Sequence, residues 1–189
     1  MMARPKGGGG DAREKLIRGM GRGFRLGGYG GIGVDGLAKE SGLTSGAFYA
    51  NFRSKSQAFT VTVDQGLACL RDGIAGFQRS HGEGWLAPFV DFYLGPRMEA
   101  ELADACALPT FSADVARAAD ETRAAFTAQL TAIATLIAQG LSGEEREARA
   151  WRLLAILSGG AAMARAVDDA EVRAAILRSA GQAARAVQD

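Results

Sequence analysis

Cysteine and histidine are nearly missing from this chain: Cys69 and Cys106 are its two thiols and His81 is its one imidazole. The cysteines match no metal-ligand spacing, so neither a zinc nor a histidine-metal site is expected. A reducing compartment would hold both as thiols. No apolar run approaches the roughly 18 residues that span a bilayer. The opening Met-Met-Ala-Arg-Pro-Lys and its four following glycines lack the apolar stretch of a secretory signal. Together these features predict a cytoplasmic protein with no membrane contact and no cofactor. No Ser or Cys nucleophile motif surrounds His81, and no phosphate loop or paired metal ligands occur, so an enzyme is not expected. Strand signals are also missing, because β-branched residues are scattered and never alternate with polar ones over a strand length.

What is present is helical and unevenly charged. Of the 189 residues, 48% are hydrophobic and 23% charged, the balance of an ordinary globular protein. The formal charge of +1 hides an asymmetry. Residues 1–60 hold ten Lys/Arg against four Asp/Glu, a net of +6, and residues 61–189 hold twelve arginines against seventeen acids, a net of −5. All four lysines, Lys6, Lys15, Lys39 and Lys55, fall in the basic segment. Such a split fits a small unit that meets a polyanion joined to a larger one that does not, although solvated charge faces would give the same split.

Residues 1–10 read as a flexible arm in which Arg4 and Lys6 supply basic charge. Asp11 then reads as an N-cap with Glu14 completing a capping box, followed by Ile17, Met20 and Phe24 at helical spacing. Gly19, Gly21 and Gly23 weaken this helix, each by about 1 kcal/mol relative to Ala, so tertiary packing must hold it. Gly27, Gly28, Gly30 and Gly31 mark its stop. Val34, Leu37, Ala38 and Ser41 share one face of a short helix. Gly42 is placed to take the left-handed conformation that ends it, and Leu43 plugs the turn. Thr44 or Ser45 caps a second short helix with Phe48 and Phe52 pointing inward. This spacing predicts a helix-turn-helix with the second helix as reader. A long helix capped by Ser54 follows, with Phe59, Val63, Leu67 (or Gly66) and Leu70 on one stripe to about residue 78. After a turn at 81–84, an apolar segment runs from Trp85 to Leu94 and stops at Gly95-Pro96. Further helices are expected at about 97–106, 112–140, 144–166 and 169–187, with a break near Pro109. The fold class is all-α: a three-helix N-terminal unit and a larger helical unit, about nine helices in total.

The stretch from Gly28-Tyr29 to Phe59, with GLAKESGLTSGAFYANFRSKSQAF at its heart, resembles the DNA-binding domain of TetR/AcrR-family transcriptional regulators. Leu37-Ala38 matches the family's apolar-Ala pair, Ser41-Gly42-Leu43-Thr44 its turn, Gly46 the reader-helix glycine and Phe48-Tyr49 the apolar-Tyr pair. Phe52, Lys55 and Phe59 match the closing positions. The chain departs from the family at Gly33, where Thr or Ser is usual, at Asn51, where His or Tyr is common, and at the first-helix glycines. The resemblance implies a flexible arm (1–10), a helix-turn-helix domain (11–60) and a ligand-binding and dimerisation domain (61–189). It implies a homodimeric repressor released from a palindromic double-stranded DNA operator by a small, largely apolar effector.

By the same resemblance, Tyr49 and Lys55 donate to phosphates, while Gly33, Thr44, Ser45, Gly46, Ala47 and Asn51 complete the DNA-facing set. Ala47 suits a thymine methyl, and Asn51 suits an adenine edge if it points into the groove. Candidates for an effector pocket are Phe77, Trp85, Phe89, Phe92, Tyr93, Cys106, Phe111, Phe126 and Trp151, any of which can equally be core. For a dimer face the candidates are Trp151, Leu154, Ser158, Ala161, Ala162, Val172, Ile176, Ala180 and Ala183, stripes able to serve core and interface together. Two alternatives stay open: a thiol or electrophile sensor acting through Cys106, and a helical interaction module with degenerate DNA binding.

Overall fold

A computed structural model describes residues 8–188, with side chains from Arg13 onward. Among the described residues there is no strand, and there are ten α-helical segments, of which one is a single turn and nine are longer. The first, α1 (Gly8–Gly31), begins ahead of Asp11. Asp11 therefore has helical backbone and is not the expected N-cap, which needs an extended conformation. Gly8, Gly9 and Gly10 of the expected arm belong to this helix, while Arg4 and Lys6 lie outside the described residues.

Leu16, Met20 and Phe24 form the buried stripe of α1. Tertiary contact does hold this glycine-rich helix. A Cβ on Gly19 would lie 2.4 Å from both Cα and Oγ of Ser41, so only glycine lets α1 pass the end of α2. Ser41 Oγ lies in hydrogen-bond reach of the carbonyls of Leu16 (3.1 Å) and Leu37 (2.8 Å), joining the two helices. Near its end α1 kinks at Gly28 (φ 66°, ψ 168°), a conformation essentially closed to other residues.

The helices α2 (Val34–Glu40) and α3 (Ser45–Asn51) follow. Between them Gly42 has φ 65°. Its N–H donates to Lys39 O, and the Leu43 N–H donates to Ala38 O, both at 2.9 Å. These two bonds with a left-handed glycine make a Schellman motif, the predicted stop. Leu37, Ala38, Phe48 and Phe52 close the core of the unit against α1.

Ser54 caps α4 (Lys55–His81) by accepting from the Gln57 N–H. Phe59, Val63, Leu67 and Ile74 are its buried stripe, and Leu70 is half-buried. After a 3-10 turn (Gly82–Gly84) come α5 (Leu86–Leu94) and the single turn α6 (Pro96–Glu99). The expected helix over 97–106 is not formed. Ala100 and Glu101 are extended, and only a 3-10 turn (Leu102–Asp104) follows. The predicted break at Pro109 is also corrected. Pro109 sits in the first turn of α7 (Ala107–Val115), where no intrahelical N–H bond is lost. The chain breaks instead at residues 116–119, before α8 (Asp120–Gln139).

The last helices are α9 (Arg146–Ala166) and α10 (Ala170–Arg185), the latter capped by Asp169, which accepts from the N–H groups of Glu171 and Val172. α4 packs along α8, α8 along α9 and α9 along α10, while α5 sits against α4, α9 and α10. α4 crosses α7 so closely at Gly66 that a Cβ there would lie 2.6 Å from Ala107 Cβ. Trp85 is fully buried and donates from Nε1 to Gly140 O (2.7 Å), fixing the 3-10 turn to the end of α8. No helix among the described residues is long and apolar enough to cross a membrane.

Candidate functional site

α3 is short, and two aromatic anchors set its pose. Phe48 is fully buried and Phe52 2% exposed, which turns the opposite face outward. Thr44, not Ser45, is the N-cap, accepting from the Ala47 N–H at 3.2 Å. Ser45 donates its hydroxyl to Asp35 and so ties the start of α3 to the start of α2. Gly46 is exposed and Ala47 half-buried. Tyr49 stands 62% exposed with its ring edge-on to Phe48 (5.3 Å), so its hydroxyl reaches solvent from a braced ring. Asn51 donates from Nδ2 to Ala47 O at 2.8 Å, along its own helix. Lys55 opens α4 with Nζ 4.8 Å from the centre of the Tyr29 ring. Gly33 is the N-cap of α2 with extended backbone and no side-chain bond.

A second site lies where α1 faces α4 and α5. Here a cleft of about 700 Å³ is walled by α1 on one side and by α4, α5 and the stretch from Asp104 to Ala107 on the other. Five of the nine aromatic and thiol candidates line it: Phe77, Phe89, Phe92, Tyr93 and Cys106. Phe77 packs against Phe89 and Phe92 at 5.5 Å each. The other four lie elsewhere. Trp85 and Phe111 are core, Phe126 is half-buried on α8, and Trp151 is 44% exposed on α9.

The sequence reading missed the cationic side of this cleft. Arg13, Arg18, Arg22 and Arg25 from α1 line it, together with Arg97. Arg18 pairs with Glu14, and Arg22 with Asp104 and Glu101. Arg25 lies over the Phe111 ring at 4.9 Å, and burial lowers its pKa from the ordinary value. The spacing of Arg18, Arg22 and Arg25, four and then three, was the available signal, since it places them on one face of a helix.

Burial pushes the Cys106 thiol above its ordinary range, and its hydrogen bonds to Tyr93 and the Leu108 main chain, with the charges of Arg97 and Arg25, offset only part of that. A reactive thiol needs the opposite shift. The sensor reading of Cys106 is therefore not favoured.

On α9 and α10 the candidate dimer residues divide. Leu154 (5%) and Ala161 (2%) are buried within the chain and belong to its core. Gly160 meets Ala180 in the same way, since a Cβ on Gly160 would lie 2.7 Å from Ala180 Cβ. Trp151, Ala162, Val172 and Ala183 face outward, and Ser158, Ile176 and Ala180 lie between the two classes.

Solved structures share this fold. NemR from E. coli in its reduced form matches with a TM-score of 0.76 at 20% identity, over 90% of this chain and 95% of that one. A TetR-family regulator from Cytophaga hutchinsonii matches at 0.79 and 14% identity, over 97% and 98%. The chain has the fold of the TetR-family transcriptional regulators. The same TetR fold relates it to FadR from Bacillus subtilis, solved in complex with stearoyl-CoA, at a TM-score of 0.70 and 12% identity over 90% of this chain and 96% of that one. No protein-family model matches the sequence, and no curated protein matches it.

Proposed function

We propose that this chain is a DNA-binding transcriptional regulator, a homodimeric repressor that leaves a palindromic operator when a small molecule enters the cleft behind α1. The observation that carries the reading is the helix-turn-helix itself: α3, capped by Thr44 and anchored by Phe48 and Phe52, holds Tyr49 62% exposed. Residues 11–60 form the DNA-binding unit and residues 61–189 the effector and dimer unit. Phosphate contacts by Tyr49 and Lys55 set affinity and register, and the exposed surface of Thr44, Ser45, Gly46 and Ala47 meets base edges. Asn51 spends one N–H on Ala47 O and keeps its Oδ1 and second N–H for a base. One seven-residue reader supplies little affinity, so two are needed, joined through the outward faces of α9 and α10 at Trp151, Ala162, Val172 and Ala183.

The test is binding of the purified protein to its own upstream intergenic DNA across a salt series, beside a Tyr49→Phe, Lys55→Ala variant. Wild type should shift one fragment specifically, and the variant should bind more weakly with a salt slope shallower by about 0.9 per lost phosphate contact. If neither protein prefers any fragment over random DNA, the regulator reading falls.

A further inference from the structure

The cleft is cationic on one side. Five arginines against Glu14 and Asp104 leave its lining at +3, four of the arginines carried by α1 from the basic first sixty residues and one, Arg97, from the acidic remainder. Its acids are already engaged, by Arg18 and Arg22. Among the described residues Arg25 and Arg97 have no carboxylate partner.

Arg25 is the more telling of the two. Its Nε is buried without an acceptor, and its guanidinium is wedged between α1, the Phe111 ring and α4 at Gly66. A guanidinium is always protonated, and a buried donor left unmatched costs free energy. Tyr93 presents a second donor of the same kind. Its hydroxyl is buried with no nitrogen or oxygen partner, only the weakly accepting Cys106 thiol beside it. Cys106 also lies within electrostatic reach of Arg25 and Arg97, so these groups gather at one end of the cleft. The Phe77, Phe89 and Phe92 cluster lines the same cleft and continues to Tyr93, whose ring lies 5.7 Å from that of Phe89.

We propose that the cleft takes an amphipathic organic carboxylate, its anionic head accepting from Arg25 and Tyr93 and its apolar body lying on Phe77, Phe89 and Phe92. This inference rests on the regulator reading for its biological meaning, and adds an anionic head to the largely apolar effector expected there. A carboxylate matches the donor set because its two oxygens accept in one plane, as the edge of a guanidinium donates. The cleft volume falls within the usual range for small-ligand sites, about 300–1,000 Å³. Arg25 belongs to α1 and Tyr93 to α5. The head group thereby bridges the helix that supports the reader and the helices behind it.

Calorimetric titration of the full-length protein tests this with decanoate and 3-phenylpropanoate against decanol and 3-phenylpropanol. Wild type should bind at least one carboxylate tenfold or more tightly than its alcohol. Arg25→Met should abolish that preference, so that each acid binds no more tightly than its alcohol. If Arg25→Met does not fold, Tyr93→Phe is read in its place, with a reduced preference expected. Equal affinity for acids and alcohols, no binding of either acid, or a folded variant that keeps the full preference would each overturn the proposal. The upstream DNA assay separates the two claims. Specific DNA binding without carboxylate preference sinks only this inference, and carboxylate preference without DNA binding sinks only the regulator reading.

Discussion

The main-chain N–H of Tyr29 donates to Asp114 Oδ2 at 2.8 Å, across 85 positions of sequence. Asp114 is only 18% exposed, and its partner Arg117 is 72% exposed, so that surface ion pair contributes little. The bond to Tyr29 is what fastens the kink at Gly28 to α7. Asp114→Ala should lower the unfolding free energy by about 1–2 kcal/mol, because a shielded N–H loses its acceptor. Asp114→Asn, whose amide oxygen still accepts, should cost less. Urea unfolding of both variants checks this, and equal losses would show that the bond to Tyr29 contributes nothing.

Two glycines of the N-terminal unit should answer oppositely to substitution. Gly19→Ala gains about 1 kcal/mol of helix propensity. It also drives a methyl into the Ser41 backbone at 2.4 Å, which cannot rotate aside. Overpacking of this kind costs about 1–3 kcal/mol, so clash should win and the thermal midpoint should fall. At Gly33 a Cβ meets nothing within 4 Å, and φ is −86°. Gly33→Thr should change stability by only a few tenths of a kcal/mol. It should also tighten DNA binding by adding a hydroxyl at the start of α2, which a gel shift would detect.

Arg149 is 6% exposed and donates to four main-chain carbonyls, those of Ser142, Glu144, Val187 and Gln188. It therefore clamps the turn before α9 to the end of the chain. Arg149→Met should cost about 3 kcal/mol or more in chemical unfolding, since four carbonyls lose charged donors at once. Arg149→Lys should recover less than half of that, because an ammonium lacks the planar fork that reaches several acceptors together. Full recovery by lysine would reduce Arg149 to a simple charge.

Cys69 is exposed and Cys106 half-buried. Because burial raises the Cys106 pKa, less of it is thiolate at pH 8 than in an ordinary thiol. Its alkylation by iodoacetamide should therefore trail that of Cys69. It should also keep accelerating above the pH at which a free thiol levels off. Peptide mass spectrometry at pH 7.5 to 9.5 gives both rates. Faster labelling of Cys106 than Cys69 at pH 7.5 would restore the thiol-sensor reading.

The helix-turn-helix was legible in the sequence because its determinants are local. Gly42 ends α2, Thr44 caps α3, Ser54 caps α4, and Phe48 and Phe52 sit one turn apart. The region between α5 and α8 was not, because its signals are ambiguous. Proline permits a helix start as readily as it forbids a helix middle, and Pro109 does the first. Ala100 and Glu101 have good helix propensity yet are extended, and Arg165 donates to the carbonyl of Ala100. Tertiary contact overrides propensity there. The cleft was half legible. Its aromatics drew attention by type, but Arg25 reads locally as one more surface cation of a basic helix. Only the approach of α4 and α7 buries it.

The crossing at Gly66 makes α4 a lever. Gly66 lies eleven residues from Lys55, about 17 Å along the helix, and fifteen residues from His81, about 22 Å. If α4 pivots where Gly66 meets Ala107, its two ends move in opposite directions. A tilt of about 5° displaces Lys55 by about 1.5 Å, enough to break a hydrogen bond. The fulcrum sits beside the cleft, and the short arm carries the residues next to the reader. On the proposed regulator reading, a wedge between α1 and α4 would need little travel to be felt at α3.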